Sequence, residues 1–584
     1  MRDGVRVRSY DPVTFELIRY GLESLGDEMA ATMAHAAYSP IIRNAHDLST
    51  ALLTSECEVI AQGRTNPLQL GSIMPAARAV VAKFSRQIGP GDIFILNDPY
   101  EGGSHLPDIF LIKPLYARDQ LVGFAGSEAH HSDVGGRVAG SNASDSREIY
   151  EEGLRIPPSY LFRAGDANET LFDVIRSNCR FPEQVMGDLG AQMAALKVGE
   201  KGFRHLVERY GHEELKGYIA RLFEHAERVV RAEFSSWPDG LYEFADYIDD
   251  DGTGNGPIPI HVQITVSGDS LTIDYSGTGA QVESAINTPK AFTQATAMTA
   301  VRCAIGVDVP HNSGYMRPVT VIVPEGTILN ARPPAAVAAR ALAAFRAFDA
   351  TIGCLAKIVP KRLMACGDGG ASLITFSGLD GGGRKYILTD MHLGAWGGRQ
   401  DRDGVDGISS PLIAITNVPV ETIERETPLR ITRYEFIPDS CGAGRFRGGL
   451  ASLREYRIDS GSAMVQFRSD RAKVRSYGLF GGRPGASARN VLNPGPLEKE
   501  LPSKHTTSLN CGDVYRSVIS GAGGWGDPLE RDPQSVREDV RNEKVTRKFA
   551  AREFGVAIDA AGRVDLDATR SLRGQTSTRI MPES

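Results

Sequence analysis

Residues 96–136 begin Leu96-Asn-Asp-Pro-Tyr-Glu-Gly-Gly-Ser-His-Leu-Pro-Asp108 and end Ala129-His-His-Ser-Asp-Val-Gly-Gly136, with an apolar run between the two ends. Three of the 12 histidines of the chain lie here, in company with Asp98, Asp108, Glu128 and Asp133. A buried imidazole or carboxylate needs a partner, so this cluster in an apolar context is costly. A divalent cation removes the cost, because neutral imidazole and ionised carboxylate are both metal ligands. A metal site is therefore the first hypothesis.

Two strands are predicted between the halves of this cluster, at 109–115 and 121–125, joined by a turn at 117–120. In an antiparallel hairpin the start of the first strand lies beside the end of the second. His105 and Asp108 precede the first strand, and His130 follows the second. The topology therefore brings these three residues together. Three protein ligands would leave coordination positions open for water or substrate.

Two other interpretations of the same residues stay open. His131 could be polarised by Asp133 and form a catalytic acid–base pair that needs no metal. The cluster could also be a structural knot of hydrogen-bonded polar side chains.

The composition is that of a soluble globular protein, with 41% hydrophobic and 23% charged residues among 584. The net charge of -7 does not indicate a basic surface for nucleic-acid binding. No apolar run is long enough to span a membrane. Seven scattered cysteines without a CxxC pair argue against disulfides and thiolate zinc sites. We expect reduced thiols and a cytoplasmic location.

The chain is predicted to be an α+β protein of several domains, in which helical and β-rich segments alternate. A helix is expected over 11–40 and helical periodicity over 168–233, with a boundary at Trp237-Pro-Asp-Gly240. Four regions follow: an α+β region carrying the His/Asp cluster, a β-rich region with an Ala-rich helix over 335–358, a glycine-rich β-type region, and a charged helical tail. They span 1–238, 239–360, 361–530 and 531–584, and the tail is expected to be disordered beyond about 567.

Glycine-rich segments offer a weaker alternative site. Tyr275-Ser-Gly-Thr-Gly279 lacks the Lys-Ser/Thr ending of a P-loop, and no helix clearly follows it, so a turn is favoured over a nucleotide site. The runs at 440–449, 480–485 and 521–526 could hold anions on backbone amides, but tight turns of a β-domain explain them equally well, and we favour turns.

The motifs together resemble the hydantoinase B/oxoprolinase family over about residues 11–560. The resemblance is carried by the two ends of the 96–136 stretch and by four further segments. These are Glu152-Gly-Leu-Arg-Ile-Pro-Pro158, Gly187-Asp-Leu189 with Ala191-Gln192, Tyr275-Ser-Gly-Thr278 and Gly521-Ala-Gly-Gly-Trp-Gly-Asp-Pro528.

The resemblance implies a cytoplasmic enzyme of two components. A hydantoinase A-like ATPase subunit, using ATP and Mg²⁺, would phosphorylate a carbonyl or enol oxygen of the substrate. The B-type subunit would direct the activated species to hydrolysis or to carboxylation. In the acetone carboxylase branch a His-x-x-Asp pair and a later His hold manganese, and those positions match His105, Asp108 and His130. Asp98, His131 and Asp133 are then supporting or acid–base candidates.

The sequence departs from the family pattern in two places. Asn66-Pro-Leu-Gln-Leu-Gly71 stands where many members carry His-Pro-x-His-x-Gly, which puts any role of those histidines in doubt here. Cys441 replaces a glycine in a Ser-Gly-Gly-x-Gly turn, a change that we interpret as structural.

The leading functional hypothesis is the B-type subunit of an ATP-dependent cyclic amide hydrolase acting on a small molecule such as hydantoin, N-methylhydantoin or 5-oxoproline. One divalent transition metal, zinc or manganese, would be bound by His105, Asp108 and His130, and His131 or Asp133 would move protons. A hetero-oligomer with the ATPase subunit is expected, without nucleic acid or membrane. The alternatives are a subunit of an ATP-dependent ketone carboxylase and a non-catalytic scaffold for the ATPase.

Overall fold

The computed structural model describes residues 11–370 and 372–577. Its helices are α1 Pro12–Ala36, α2 Pro40–Arg43, α3 Pro67–Phe84, α4 Glu169–Asn178, α5 Pro182–Tyr210, α6 His212–Phe234, α7 Lys290–Ala304, α8 Ala341–Ile358, α9 Val420–Glu426, α10 Pro533–Arg541, α11 Arg547–Phe554 and α12 Leu566–Ser577. The expected first helix is α1, which Asp11 caps by accepting hydrogen bonds from the Val13 and Thr14 amides. The periodicity over 168–233 corresponds to α4, α5 and α6.

The strands follow in five sheets. In chain order they are β1 Leu48–Leu53, β2 Val59–Gln62, β3 Ile93–Leu96, β4 Asp108–Ala117, β5 Gln120–His130, β6 Ser159–Arg163, β7 Asp166–Ala167, β8 Gly240–Ile248, β9 Ile258–Ser267, β10 Ser270–Asp274, β11 Val319–Ile322, β12 Leu373–Leu379, β13 Lys385–Met391, β14 Leu429–Phe436, β15 Ser452–Ile458, β16 Ser462–Arg468, β17 Arg489–Leu492, β18 Lys499–Leu501, β19 Lys504–Asn510, β20 Val514–Val518, β21 Ala557–Ile558 and β22 Val564–Asp565. The α+β class is confirmed. The division into four regions stays a prediction.

The first sheet carries the predicted hairpin at its centre, in the order β2-β1-β5-β4-β3-β6-β7. Successive side chains of a strand point to opposite faces, so each face has its own apolar core. Ile109 and Leu111 join the core shared with α1 and α5, whereas Phe110 and Ile112 pack with α3. Helices therefore cover both faces of this sheet, which explains why the central strands are apolar almost throughout.

The remaining sheets build the rest of the molecule. The order β11-β10-β9-β8 forms a sheet that packs on α8, and α8 in turn packs on α7. The orders β13-β12-β16-β19 and β14-β15-β20-β17-β18 form two further sheets, and β21 pairs with β22. No helix within 11–370 and 372–577 is long and apolar enough to cross a membrane.

The glycine-rich runs of the last third pack backbone against backbone. A Cβ on Gly523 would meet the Tyr477 carbonyl oxygen at 1.9 Å, and one on Gly482 would meet that of Gly524 at 2.0 Å. The Gly524 amide donates to the Arg483 carbonyl at 2.9 Å and the Gly442 amide to the Ala522 carbonyl at 2.8 Å. Close main-chain packing thus accounts for these glycines.

Two sequence predictions need correction. The Ala-rich segment is not helical from 335, because α8 begins only at Ala341, and residues 335–340 reach the His/Asp cluster as a loop. The tail beyond 567 is not disordered as far as Ser577, since α12 occupies it; the predicted disorder of 578–584 lies outside the described residues.

Candidate metal centre

The predicted hairpin is confirmed and its strands are longer than expected. β4 begins at Asp108 and β5 ends at His130, and the antiparallel register places these two residues directly opposite each other. His105 lies three residues before β4, in a loop that is held by hydrogen bonds from Asn97. The Asn97 amide group donates to the Leu106 and Leu154 carbonyls at 2.7 and 2.9 Å. Strand pairing and this loop together fix the three predicted ligands at one end of the hairpin.

The side chains of His105, Asp108 and His130, here called the His/Asp/His cluster, converge in the interior. His105 Nε2 lies 2.9 Å from Asp108 Oδ1 and 3.2 Å from His130 Nδ1, and His130 Nδ1 lies 3.1 Å from Asp108 Oδ1. All three side chains are buried. Two imidazole nitrogens and one carboxylate oxygen thus face a common point, which is a donor set suited to zinc or manganese.

The outer atoms of these ligands are held by the protein. The Ser104 hydroxyl and the Arg340 guanidinium donate to Asp108 Oδ2, which leaves Oδ1 for the imidazoles. His105 Nδ1 lies 3.0 Å from the Ala338 carbonyl oxygen. Because a carbonyl only accepts, Nδ1 carries the hydrogen and Nε2 presents its lone pair to the cluster. Burial, with Arg340 nearby, lowers the pKa of His105 to about 3, so this imidazole is neutral.

Glu128 gives independent evidence that the cluster fits a cation. It lies on β5, two residues before His130 and on the same face of the sheet. It is fully buried, and within the described residues no hydrogen-bond donor reaches either of its carboxyl oxygens. Burial and the neighbouring carboxylates of Asp108 and Asp47 raise its pKa well above the usual value. The raised pKa favours the neutral acid, which can donate to Asp108, whereas a nearby cation would favour the ionised form.

Asp47 adds a further carboxylate at the edge of the cluster. Its Oδ2 lies 4.0 Å from His130 Nδ1, and its Oδ1 accepts from the Asn66 amide group at 3.1 Å. Asn66 occupies the first position of the altered His-Pro-x-His-x-Gly segment and also caps α3 through the Leu68 amide at 3.2 Å. The departure from the family pattern therefore lies beside the centre, where Asn66 has a structural role.

Distant parts of the chain close the centre. Arg340 precedes α8 and stacks over the Phe292 ring at 4.2 Å. Arg468, the last residue of β16, donates to the Asn142 side-chain oxygen at 2.9 Å and to the Ala338 carbonyl at 2.8 Å. Asn142 Nδ2 in turn lies 3.4 Å from His130 Nε2. The C-terminal half thus contributes a buried cation next to the hairpin.

Glu152 holds the segment that orients His105. Its Oε1 accepts from the Val337 and Ala338 amides at 2.8 and 2.7 Å, and its Oε2 is buried without a hydrogen-bond partner in the described residues. The Ala338 carbonyl is the group that contacts both His105 and Arg468. Glu152 therefore acts on the cluster through the backbone at 337–338.

Comparison with known proteins decides the family. The hydantoinase B/oxoprolinase family matches residues 11–528. This chain belongs to that family. The matched range includes the whole hairpin and every residue described around the cluster, so we can compare this hydantoinase B/oxoprolinase chain with its relatives along nearly its full length.

Three relatives are informative. A protein of Pseudomonas sp. strain NS671, named as the B-type component of a D-/L-hydantoinase, is 31% identical over 97% of this chain and 98% of its own. The beta component of the caprolactamase of Pseudomonas jessenii is 32% identical over 97% and 100%. The crystal structure of that organism's ATP-dependent caprolactamase matches with a TM-score of 0.91 at 30% identity, over 97% and 100% of the two chains. A nucleotide-free acetone carboxylase structure gives 0.92 at 18% identity, over 100% and 85%, which shows a shared fold.

His131 and Asp133 are close in sequence but bind different partners. His131 Nε2 lies 3.0 Å from the Gln192 side-chain oxygen, and its Nδ1 is buried without a hydrogen-bond partner in the described residues. Asp133 accepts from the Arg180 guanidinium at 3.1 and 3.3 Å and from its backbone amide at 3.2 Å. The interpretation of His131 as polarised by Asp133 is therefore wrong within the described chain.

Asp98 is also separate from the cluster. Its Oδ1 accepts from the Tyr100 amide at 2.9 Å, and its Oδ2 lies 3.3 Å from Arg155. It shapes the loop that leads to His105. Sequence reasoning missed Asp47, Arg340, Arg468 and the contacts of Glu152, because all four are distant in sequence from the hairpin. The Glu152 motif was visible, but nothing in it points to residues 337–338.

Proposed function

We propose that this chain is the B-type subunit of an ATP-dependent cyclic amide hydrolase, acting on a small-ring substrate that a hydantoinase A-like ATPase subunit has activated by phosphorylation. The observation that carries the proposal is the buried His/Asp/His cluster with the donor-free Glu128 beside it. Relatives named as components of a hydantoinase and of a caprolactamase support the substrate class and the hetero-oligomer.

His105, Asp108 and His130 would hold one divalent transition metal, zinc or manganese. When bound, such an ion supplies Lewis acidity at a carbonyl that is under attack. The remaining work is done by the chain. Ser104 and Arg340 keep Asp108 aimed at the imidazoles, and the Ala338 carbonyl keeps the proton of His105 on Nδ1.

Proton movement is proposed for the residues next to the cluster. His131 has a free ring nitrogen, and burial lowers its pKa, so it is a neutral base at pH 7. Its Nε2 is held by Gln192, whose amide group donates to the Ile109 carbonyl at 2.8 Å. Asp133 is the second candidate; burial raises its pKa while Arg180 holds it in place.

The test uses the full chain co-purified with its A-type ATPase subunit. We expect about one transition metal per chain and ATP-driven ring opening of hydantoins or lactams without bicarbonate. His105→Ala removes a ligand, so metal should be lost and turnover should fall by about 10³-fold. His205→Ala, which changes an exposed histidine of α5, is the matched control and should retain both.

Each contrary result is informative. Turnover that strictly requires bicarbonate would replace the hydrolase by a carboxylase at the same cluster. A His105→Ala enzyme with full activity, or native protein without metal after reconstitution, would leave the metal centre without support. An ATPase partner that turns over substrate equally well without this chain would favour the scaffold alternative.

A further inference from the structure

A cavity of about 860 Å³ lies between α1, α3 and α7, on the side of the chain where residues 59–67 enter α3. Its floor is mostly apolar and includes Met74 of α3, Met298 of α7 and Val319 of β11. A cavity of this size can enclose a small ring compound with substituents, and apolar walls suit the methylene groups of such a ring.

The inner wall of the cavity is close to the metal centre. Thr65 and Pro67 line it, and Asn66 lies between them with its side chain buried on the other side of the wall. There the Asn66 amide group donates to Asp47 Oδ1 at 3.1 Å, and Asp47 Oδ2 lies 4.0 Å from His130 Nδ1. Asn66 therefore links the lining of the cavity to the carboxylates around the His/Asp/His cluster.

The charges of the cavity are unequally paired. The carboxylates that line the cavity form ion pairs with two of the lining arginines: Arg19 pairs with Glu23 and Asp308, and Arg64 pairs with Asp27. Two further lining arginines, Arg78 and Arg302, have no carboxylate within ion-pair distance among the described residues, although Arg302 lies close enough to Asp308 to help lower the pKa of that carboxylate.

Arg302 is the better placed of these two cations. It is half-buried on α7, and one of its terminal nitrogens donates to the Val309 carbonyl at 3.0 Å, which fixes the guanidinium against the wall. Arg78 is exposed at the rim. A guanidinium held in place beside apolar walls is suited to a phosphate or carboxylate group on an apolar body.

We propose that this cavity binds the activated substrate, a phosphorylated small-ring compound, with the ring on Met74 and Met298 and the phosphate on Arg302. The proposal rests on the proposed function, because it takes phosphorylation as the form of activation. In this proposal the cavity is a docking site for the activated species beside the metal centre, and the chemical step itself belongs to the metal centre. Asn66, between Thr65 and Pro67, is the residue through which the two sites meet.

Phenyl phosphate is the test ligand, titrated calorimetrically into the full chain, with phenol and inorganic phosphate as the two half-ligands. Phenyl phosphate should bind at least about tenfold more tightly than either half, because only it uses both the apolar floor and the cation. Arg302→Gln should weaken it by about tenfold or more, since a charge-assisted hydrogen bond is lost, and Arg302→Lys should recover part of the loss. Met74→Trp, which fills the floor, should weaken phenyl phosphate more than inorganic phosphate.

Arg231→Gln is the matched control, because it removes a surface arginine of α6 that does not line the cavity. It should leave the affinity for phenyl phosphate unchanged. Thermal melts of all variants establish that each is folded. Equal binding of phenyl phosphate to wild type, Arg302→Gln and Met74→Trp would overturn the proposal.

Phenyl phosphate binding to chelator-treated protein and to His105→Ala, which lacks one metal-binding side chain, separates this proposal from the proposed function. If phenyl phosphate still binds the metal-free protein and Arg302→Gln still weakens that binding, the result supports the proposed cavity site. Binding that disappears there and is insensitive to Arg302→Gln would mean that phosphate binds the metal, which overturns the cavity and leaves the metal centre standing. If phenyl phosphate binds through Arg302 but the protein never holds metal, the cavity site stands and the metal centre of the proposed function is overturned.

Discussion

Two buried clusters of this chain each offer three metal-ligand atoms within 4.8 Å of one another, yet their surroundings differ. One is the His/Asp/His cluster at the end of the β4–β5 hairpin. The other, here called the Asp/Cys cluster, consists of Asp246, Asp349 and Cys366. Ligand geometry alone does not separate them, but the protein's own cations do.

In the Asp/Cys cluster a guanidinium already occupies the place that an ion would take. Arg471 Nη2 lies 2.7 Å from Asp246, 2.7 Å from Asp349 and 2.9 Å from the Cys366 sulfur. Arg346 contacts the same two aspartates at 3.3 and 3.4 Å. Two buried arginines therefore neutralise the carboxylates and would repel a divalent ion.

In the His/Asp/His cluster the nearest cation stays outside. Arg340 contacts only Oδ2 of Asp108, so Oδ1 and the two imidazoles face each other without a guanidinium between them. Glu128 beside them has no donor within the described residues. A group of potential ligands thus becomes a candidate metal centre when the protein leaves it without an internal cation.

The Asp/Cys cluster instead connects parts of the fold. Asp246 belongs to β8, Arg346 and Asp349 to α8, and Arg471 to the segment after β16. Arg471 has a φ of 71°, a left-handed conformation that is uncommon for a residue with a side chain. The surrounding ion network compensates for that backbone cost, so we assign the cluster to stability.

The largest expected effect comes from breaking the Asp/Cys cluster. Arg471→Met leaves Asp246 and Asp349 buried with one fewer cation, so the free energy of unfolding should fall by about 3–5 kcal/mol. Urea unfolding followed by tryptophan fluorescence measures it. Metal content per folded chain should not change.

Arg231→Met is the control for this change, because Arg231 pairs at the surface with Glu227 of α6 and with Asp269 of the turn between β9 and β10. Removing them should cost about 1 kcal/mol at most. If Arg471→Met lowers the free energy of unfolding as little as Arg231→Met does, or if it lowers the metal content, the assignment of the Asp/Cys cluster to stability and not to metal binding is contradicted.

The sequence was sufficient to predict the hairpin and the convergence of His105, Asp108 and His130, because strand periodicity and antiparallel pairing are local. It was not sufficient for the partners of those ligands. Arg340 contacts Asp108 from 232 residues further along the chain. Arg468 contacts Asn142, the neighbour of His130, from 326 residues further along. The Ala-rich composition before Arg340 favours helix, but the bonds from Glu152 hold residues 337–338 as a loop, and tertiary contacts override propensity there.

A smaller effect tests the outer support of the His/Asp/His cluster. Glu152→Ala removes the acceptor of the Val337 and Ala338 amides and so loosens the carbonyl that orients His105. Loss of such outer support typically lowers metal affinity by about 10–100-fold. Competition with a chelator measures the affinity, and the visible spectrum of the Co²⁺-substituted protein should change with the ligand geometry.

Glu152→Gln keeps an oxygen acceptor and should restore most of the affinity. Glu151→Ala is the matched control, since Glu151 accepts from the Glu148 amide in the capping box of the short turn at 149–151, whereas the 337 and 338 amides bond to Glu152. If Glu151→Ala and Glu152→Ala shift the Co²⁺ spectrum alike, Glu152 supports the loop in general and not His105.

The last effect is a pH dependence at the same residue, and it is spread over several pH units. Burial raises the pKa of Glu152 to about 8, against the two amide bonds that favour its charged form, whereas the unfolded chain has the ordinary value near 4.5. Between these values the folded chain holds one proton more than the unfolded chain. Stability from Glu152 is therefore complete below about pH 4.5 and is lost as the pH rises through 8, by about 1.4 kcal/mol per pH unit. Glu152→Gln cannot titrate, so its metal-free unfolding free energy should fall less steeply with pH than that of wild type, whereas Arg471→Met should keep the wild-type contribution of Glu152. Parallel pH profiles for wild type and Glu152→Gln would show that Glu152 is already ionised in the folded chain, and its free Oε2 would then need a cation of its own.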